Sequence, residues 1–245
     1  MKRMAPSFLL LMGLFKVALC VLFGKHVLVE RKMNWFEARD YCRQHFTDIS
    51  SVHTTEDFNA ITSATNDMHV VWIGLYKSAN DIWKWSGGES ASVVNTSVDD
   101  SKVKGNSCVS HDKHGWHAQD CNKDAFDFSC FESSLKLVKE KKTWEEAMQN
   151  CRQQDSELIS VTSEPTLIRA LQTSRGVRME HLWISLRHLA GSWLWVDRNR
   201  NSYEAGVDVA MPNCPDAGSH CGALSLRSGY LVNLDCTKKF YFLCY

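Results

Sequence analysis

One frame of cysteines and tryptophans occurs twice along the chain, offset by 109 residues at its first cysteine (151 − 42). In the first copy Trp35 leads a helical stretch to Cys42. Trp72-Ile73-Gly74-Leu75 follows, then Trp83-Lys84-Trp85, Cys108, Cys121 and Cys130. In the second, Trp144 leads to Cys151, and Trp183-Ile184-Ser185-Leu186, Trp193-Leu194-Trp195, Cys221, Cys236 and Cys244 come in the same order. First and last cysteines lie 88 and 93 residues apart (130 − 42, 244 − 151), and the inner pairs 13 and 15 apart (121 − 108, 236 − 221). A period of this length, replayed in order, predicts two folding units of one architecture. They are expected over residues 25–132 and 133–245, within a chain of 245 residues.

Local signals place the elements within each copy. Asn34 and Glu37 around Trp35, and Thr143 and Glu146 around Trp144, have the capping-box spacing. Trp35, Ala38 and Cys42, like Trp144, Ala147 and Cys151, then recur at helical intervals, which turns each cysteine toward a core. Second helices are expected near Thr55 and near Ser163, where Glu164-Pro165 suits a first turn. Beyond Trp72 and Trp183 the pattern breaks into short apolar segments separated by Gly, Asn, Asp and Ser, which predicts hairpins and long loops. Each copy is α+β. Cys130 closes the first, and Leu135-Lys136-Leu137-Val138 reads as the opening strand of the second. Four residues lie between, spanning at most roughly 14 Å, so the domains should sit close together.

The N-terminus reads as a targeting segment. Lys2 and Arg3 precede apolar residues from Phe8 to Phe23, interrupted by Lys16, and Ala18-Leu19-Cys20 supplies small residues for a signal peptidase. Residues 1–20 are expected to be a signal peptide, with cleavage after Gly24 as the alternative. The competing reading is a type II membrane anchor at residues 8–23, short of the roughly 17 to 25 residues a spanning helix needs and burdened by Lys16. No second apolar run of membrane length follows, and the reading is a secreted, extracellular protein. In an oxidising compartment the cysteines become a disulfide framework, although sequence alone leaves many pairings open.

Formal net charge is zero, so nothing points to nucleic acid. The halves differ: residues 25–132 carry 11 Lys+Arg against 16 Asp+Glu, net −5, and residues 133–245 carry 14 against 12, net +2. Different ligand preferences are expected of the two copies.

Taken in order, these residues resemble the C-type lectin-like domain, in both copies and over residues 26–245. The tandem is similar to mannose-receptor-type or teleost tandem lectins. The resemblance implies two short-form double-loop domains with antiparallel strands and two nested disulfides each: Cys42 with Cys130, Cys108 with Cys121, Cys151 with Cys244, and Cys221 with Cys236. Cys214 is left unpaired and could link two chains in a homodimer. Sugar-binding members hold Ca²⁺ through a Glu-Pro-Asn loop and a Trp-Asn-Asp sequence ending shortly before the third cysteine. Ca²⁺ takes 6 to 8 oxygens. The first copy has Trp116-His117-Ala118 at the second element and lacks the first. The second copy has Met211-Pro212-Asn213 and Leu231-Val232-Asn233, leaving Pro212, Asn213, Asp216 and Asn233 as a candidate ligand loop. With at most one carboxylate, no Ca²⁺ cofactor is expected.

Other constellations are weaker. His111, His114 and His117 could ligate Zn²⁺, but Asp112-Lys113-His114-Gly115 reads as a hairpin turn that would separate them. Asn95-Thr96-Ser97 is a glycosylation sequon. Arg187, His188, Arg198 and Arg200 could form an anion patch, against a default of solvated arginines. The paired tryptophans read as core. Cys214 with His220 lacks a third orienting group, so no enzyme is expected. The expected function is Ca²⁺-independent binding of an extracellular protein or glycan. The alternatives are a carbohydrate-binding lectin with a degenerate Ca²⁺ site in the second domain, and a structural matrix or surface-binding component.

Overall fold

The computed structural model describes residues 23–65, 69–80, 82–88, 91, 98, 107–197, 203–204, 209–213 and 218–245. The first half contains β1 (Gly24–Met33), α1 (Trp35–His45), β2 (Asp48–Ile49), α2 (Thr55–Thr65), β3 (Val71–Lys77), β4 (Trp83–Trp85), β5 (Ser107–Asp112), β6 (Gly115–Asp120) and β7 (Phe126–Ser133). The second contains β8 (Lys136–Lys142), α3 (Trp144–Arg152), α4 (Glu164–Thr173), β9 (His181–Leu189), β10 (Ser192–Trp195), β11 (Tyr203–Glu204), β12 (Cys221–Ser225), β13 (Leu231–Leu234) and β14 (Phe240–Cys244).

Both halves share one connectivity. The opening strand pairs antiparallel with the closing strand, β1 with β7 and β8 with β14. The closing strand then runs parallel to the central tryptophan strand, Trp72 opposite Phe128 and Trp183 opposite Phe242. A hairpin completes each sheet, β5 with β6 and β12 with β13. The chain therefore leaves and returns at one place in each domain, and everything between is a closed excursion.

The duplication extends to single hydrogen bonds. Asn34 Oδ1 accepts from the Glu37 amide at 3.0 Å while Glu37 accepts from the Asn34 amide at 3.1 Å, and Thr143 with Glu146 repeats the box. Trp35 and Trp144 each donate Nε1–H at 2.8 Å to the central strand, to the carbonyls of Ile73 and Ile184. Trp72 and Trp183 donate at 2.9 Å to Met33 and Lys142, the last residues of the opening strands. A buried indole needs a partner for its one donor, so each tryptophan welds two elements while filling the core. Cys42 is bonded to Cys130, Cys108 to Cys121, Cys151 to Cys244, and Cys221 to Cys236. Each outer bridge closes a loop of 88 or 93 residues, worth about 4 to 5 kcal/mol in the chain-entropy account.

The link between domains is shorter than the expected four residues. β7 runs past Cys130 to Ser133 because β1 begins at Gly24 and offers it as the partner of Ser133. β8 starts at Lys136, leaving only Ser134 and Leu135 between strands. Gly24 is a close approach: a Cβ there would sit 2.3 Å from the Glu132 carbonyl oxygen. Phe23 joins the same knot, accepting from the Ser134 amide at 2.7 Å and lying edge-on to Tyr245 at 5.4 Å.

Helix α4 docks the second domain onto the first. Arg169, 3% exposed, donates Nη2–H to Asp57 Oδ1 at 2.7 Å and lies 3.7 Å over the Phe131 ring. Gln172 donates to Ser51 at 3.3 Å, Thr173 to Ser133 at 2.9 Å, and Arg175 pairs with Asp48. Two carboxylates of the first domain thus receive guanidiniums of the second.

Candidate functional site

Among the described residues, the positions that the resemblance equates with Ca²⁺ ligands are occupied by side chains facing inward or by neutral groups. In the first domain Trp116 is 6% exposed and lies edge-on to Trp85 at 5.9 Å, and Ala118 is buried in the β5–β6 hairpin. His117 donates Nε2–H to Asp112 Oδ1 at 3.0 Å. Partial burial would raise the Asp112 carboxyl, but the His114 amide and His117 hold it below the usual carboxylate range. His111 sits across the hairpin from Trp116, buried, with Nε2 3.2 Å from Thr62 Oγ1. Burial lowers its imidazole. The three histidines do not converge: residues 113–114 form the turn, His111 is buried, and His117 pairs with Asp112 at the end of β5.

In the second domain Met211 is half-buried against the core that contains Trp193 and Trp195. Pro212 is half-buried and Asn213 exposed. Asn233 lies on β13, half-buried, opposite Gly222. The donor set at these places is two neutral amide oxygens. Asp216 and Cys214 fall outside the described residues, as do Asn95 and the targeting segment. Among the described residues one trio of His, Cys, Asp or Glu atoms clusters closely enough for a metal, Glu145 with Cys221 and Cys236. Its two sulfurs are joined in a disulfide, and Glu145 accepts from Arg187 Nη1 at 2.7 Å. A disulfide offers no thiolate ligand.

The anion patch needs correction at Arg187. Its guanidinium lies 4.9 Å over the Trp144 ring, besides pairing with Glu145, so it serves the packing of α3 on β9. His188 stacks on His220 at 5.8 Å; Arg198 and Arg200 fall outside the described residues. Of the eight tryptophans in the repeated frame only Trp83 is half-exposed, with the Lys77 ammonium 5.8 Å from its ring.

The densest buried polar cluster lies elsewhere, where the domains meet. Asp57, 1% exposed, accepts from His26 Nε2 at 2.9 Å, from Arg169, and from the amides of His53 and Thr54 at 2.9 and 3.0 Å. Burial pushes the Asp57 carboxyl up, but the bonds from His26 and Arg169 overcome it and hold it well below the carboxylate range. Burial lowers His26. His53 is pushed down to about 3, by burial first and by the Arg169 charge second. Thr166, Arg169, Gln172 and Thr173 recur at helical spacing, but a polar stripe ordinarily reads as a solvated face, so this cluster leaves no mark of its docking in the sequence.

Comparisons with known proteins agree with the duplicated frame. The family described as Lectin C-type domain matches residues 31–130 and 140–245. The secretory phospholipase A2 receptor of Oryctolagus cuniculus is 22% identical over 250 residues, covering 89% of this chain and 17% of the receptor. The C-type lectin lectoxin-Lio3 of Erythrolamprus poecilogyrus is 30% identical over 119 residues, covering 46% of this chain and 73% of that protein. The human C-type mannose receptor 2 is 30% identical over 128 residues, covering 50% and 8%. The chain thus spans a small part of the two receptors. Among solved structures, the mouse scavenger receptor C-type lectin carbohydrate-recognition domain superposes with a TM-score of 0.37 at 23% identity, covering 45% of this chain and 84% of that one.

Proposed function

Because the chain belongs to the C-type lectin domain family through both of its halves, we propose that it is a secreted, non-enzymatic protein that binds an extracellular protein or glycan without Ca²⁺ chelation. The observation that carries this reading is the donor set: His117 and Ala118 in one domain, and Asn213 and Asn233 beside an inward-facing Met211 in the other. Neutral amides cannot replace the carboxylates that bring Ca²⁺ affinity into a useful range. No helix among the described residues is long and apolar enough to cross a membrane.

The test is a thermal melt and a glycan array, each run in millimolar Ca²⁺ and in chelator. Equal melting temperatures and an equal binding pattern are expected. A rise of several degrees on adding Ca²⁺ overturns the reading, since any ligand of the native state stabilises it. That outcome would favour the second reading, a lectin whose Asn213 and Asn233 work with Asp216. Cys214 remains the candidate for an interchain disulfide, with a buried or capped thiol as the alternative, and non-reducing gels of wild type against Cys214→Ser decide it: a dimer band that the substitution removes supports the link, and unchanged mobility eliminates it.

A further inference from the structure

Where the domains meet, a groove of about 620 Å³ opens between turns of both. The first domain contributes Gly87 and Gly88, just after β4. The second contributes the end of α4 at Leu171, Gln172 and Ser174, the turn Arg175-Gly176-Val177, and the β12–β13 turn from Leu226 to Gly229. The groove exists only because α4 fixes the two domains together. Its volume lies within the range of small-molecule sites.

Three features define what fits. Gly88, Gly176 and Gly229 adopt φ of +100°, +76° and +73°, and a Cβ at the first two would meet nothing within 4 Å. These walls bare the peptide backbone, as a surface for hydroxyl groups must. Leu171, Val177 and Leu226 are half-buried and form an apolar strip suited to the C–H face of a sugar ring. Among the described residues the lining holds two guanidiniums and no carboxylate. Arg175 is engaged with Asp48, whereas Arg227 is exposed and has no ion-pair partner among the described residues.

We propose that this groove binds an acidic sugar, a pyranose carrying one carboxylate, with Arg227 as the carboxylate's partner. An acidic peptide fits less well. The walls are turns and the end of a helix, so no strand edge is offered for backbone pairing, and no deep apolar pocket could anchor a side chain. The proposal rests on the Ca²⁺-independent binding reading and names its site and ligand class. Sialic acids and uronic acids share the required chemistry, and the probes separate them.

The experiment is calorimetric titration of the full chain in chelator with 3′-sialyllactose, a hyaluronan tetrasaccharide, lactose and hexaglutamate. At least one acidic sugar should bind while lactose does not. Arg227→Ala should weaken that binding roughly 10- to 100-fold, the scale of one charge-assisted bond, and Arg227→Lys should retain part of it. Lys139→Ala, which removes the same charge from the exposed edge of β8, should change nothing. The proposal falls if neither acidic sugar binds, if Arg227→Ala is silent, if Lys139→Ala loses as much, or if hexaglutamate binds as tightly as the sugars. A Ca²⁺-independent array ligand whose binding survives Arg227→Ala would sink the groove and leave the proposed function standing.

Discussion

Asp57 and Arg169 show how much one residue pair can carry. Removing one partner of a buried ion pair strands the other charge, at a cost of about 3 to 5 kcal/mol, so Arg169→Met should lower stability by that order in chemical denaturation. Asp57→Asn combined with Arg169→Met should recover part of the loss, because neither charge is then buried alone. The neighbouring histidines add a pH dependence. His53 is held neutral down to about pH 3 in the fold, yet takes its proton near 6.5 once unfolded. The unfolded chain therefore binds more protons, and stability that is full above pH 6.5 is lost as pH falls toward 3. For His53 alone the slope approaches about 1.4 kcal/mol per pH unit between roughly pH 6 and 4. His26, also lowered, acts in the same sense. Melting temperature should fall steadily from pH 7 to 5, and His53→Gln should flatten that profile; a flat wild-type profile would contradict the neutral-histidine cluster.

At the scale of elements, the helices were legible and the docking was not. Capping boxes at Asn34 and Thr143 mark the starts of α1 and α3 because the side chains that stop a helix from fraying are local in sequence. The turn at Lys113 and His114 was readable for the same reason. The place of the closing strands, parallel to β3 and β9, depends on contacts across more than fifty residues and leaves no local mark. The extension of β7 to Ser133 required knowing that Gly24 would face it. At the candidate ligand loop, sequence showed which oxygens are missing, while the inward turn of Met211 and the engagement of Arg187 by Glu145 emerge only from packing. Gly222 makes the element-level prediction. A Cβ there would lie 2.4 Å from Leu186 Cβ, so Gly222→Ala should force β12 away from β9 and cost about 1 to 3 kcal/mol, read as a lowered denaturation midpoint.

For the whole molecule, the interface makes the tandem one mechanical body. Calorimetry of the intact chain should give a single cooperative transition, and Arg169→Met should broaden or split it as the domains lose their common anchor. Two separate transitions in wild type would show independent domains. The contact is also directional. It joins α4 and the turn after it to α2, β2 and β7 of the first domain, head to tail. Thr54 and Ser163 each accept from the amide three residues on, which aligns Asp57 with Thr166 and Ala60 with Arg169. The second copy therefore lacks the Asp57 carboxylate and the first lacks the Arg169 guanidinium, although Glu157, paired with Arg152, repeats the Asp48 carboxylate. A head-to-tail joint between similar units ordinarily invites endless addition into filaments. Here each unit holds only one half of the Asp57–Arg169 fastening, so addition through that ion pair stops at two.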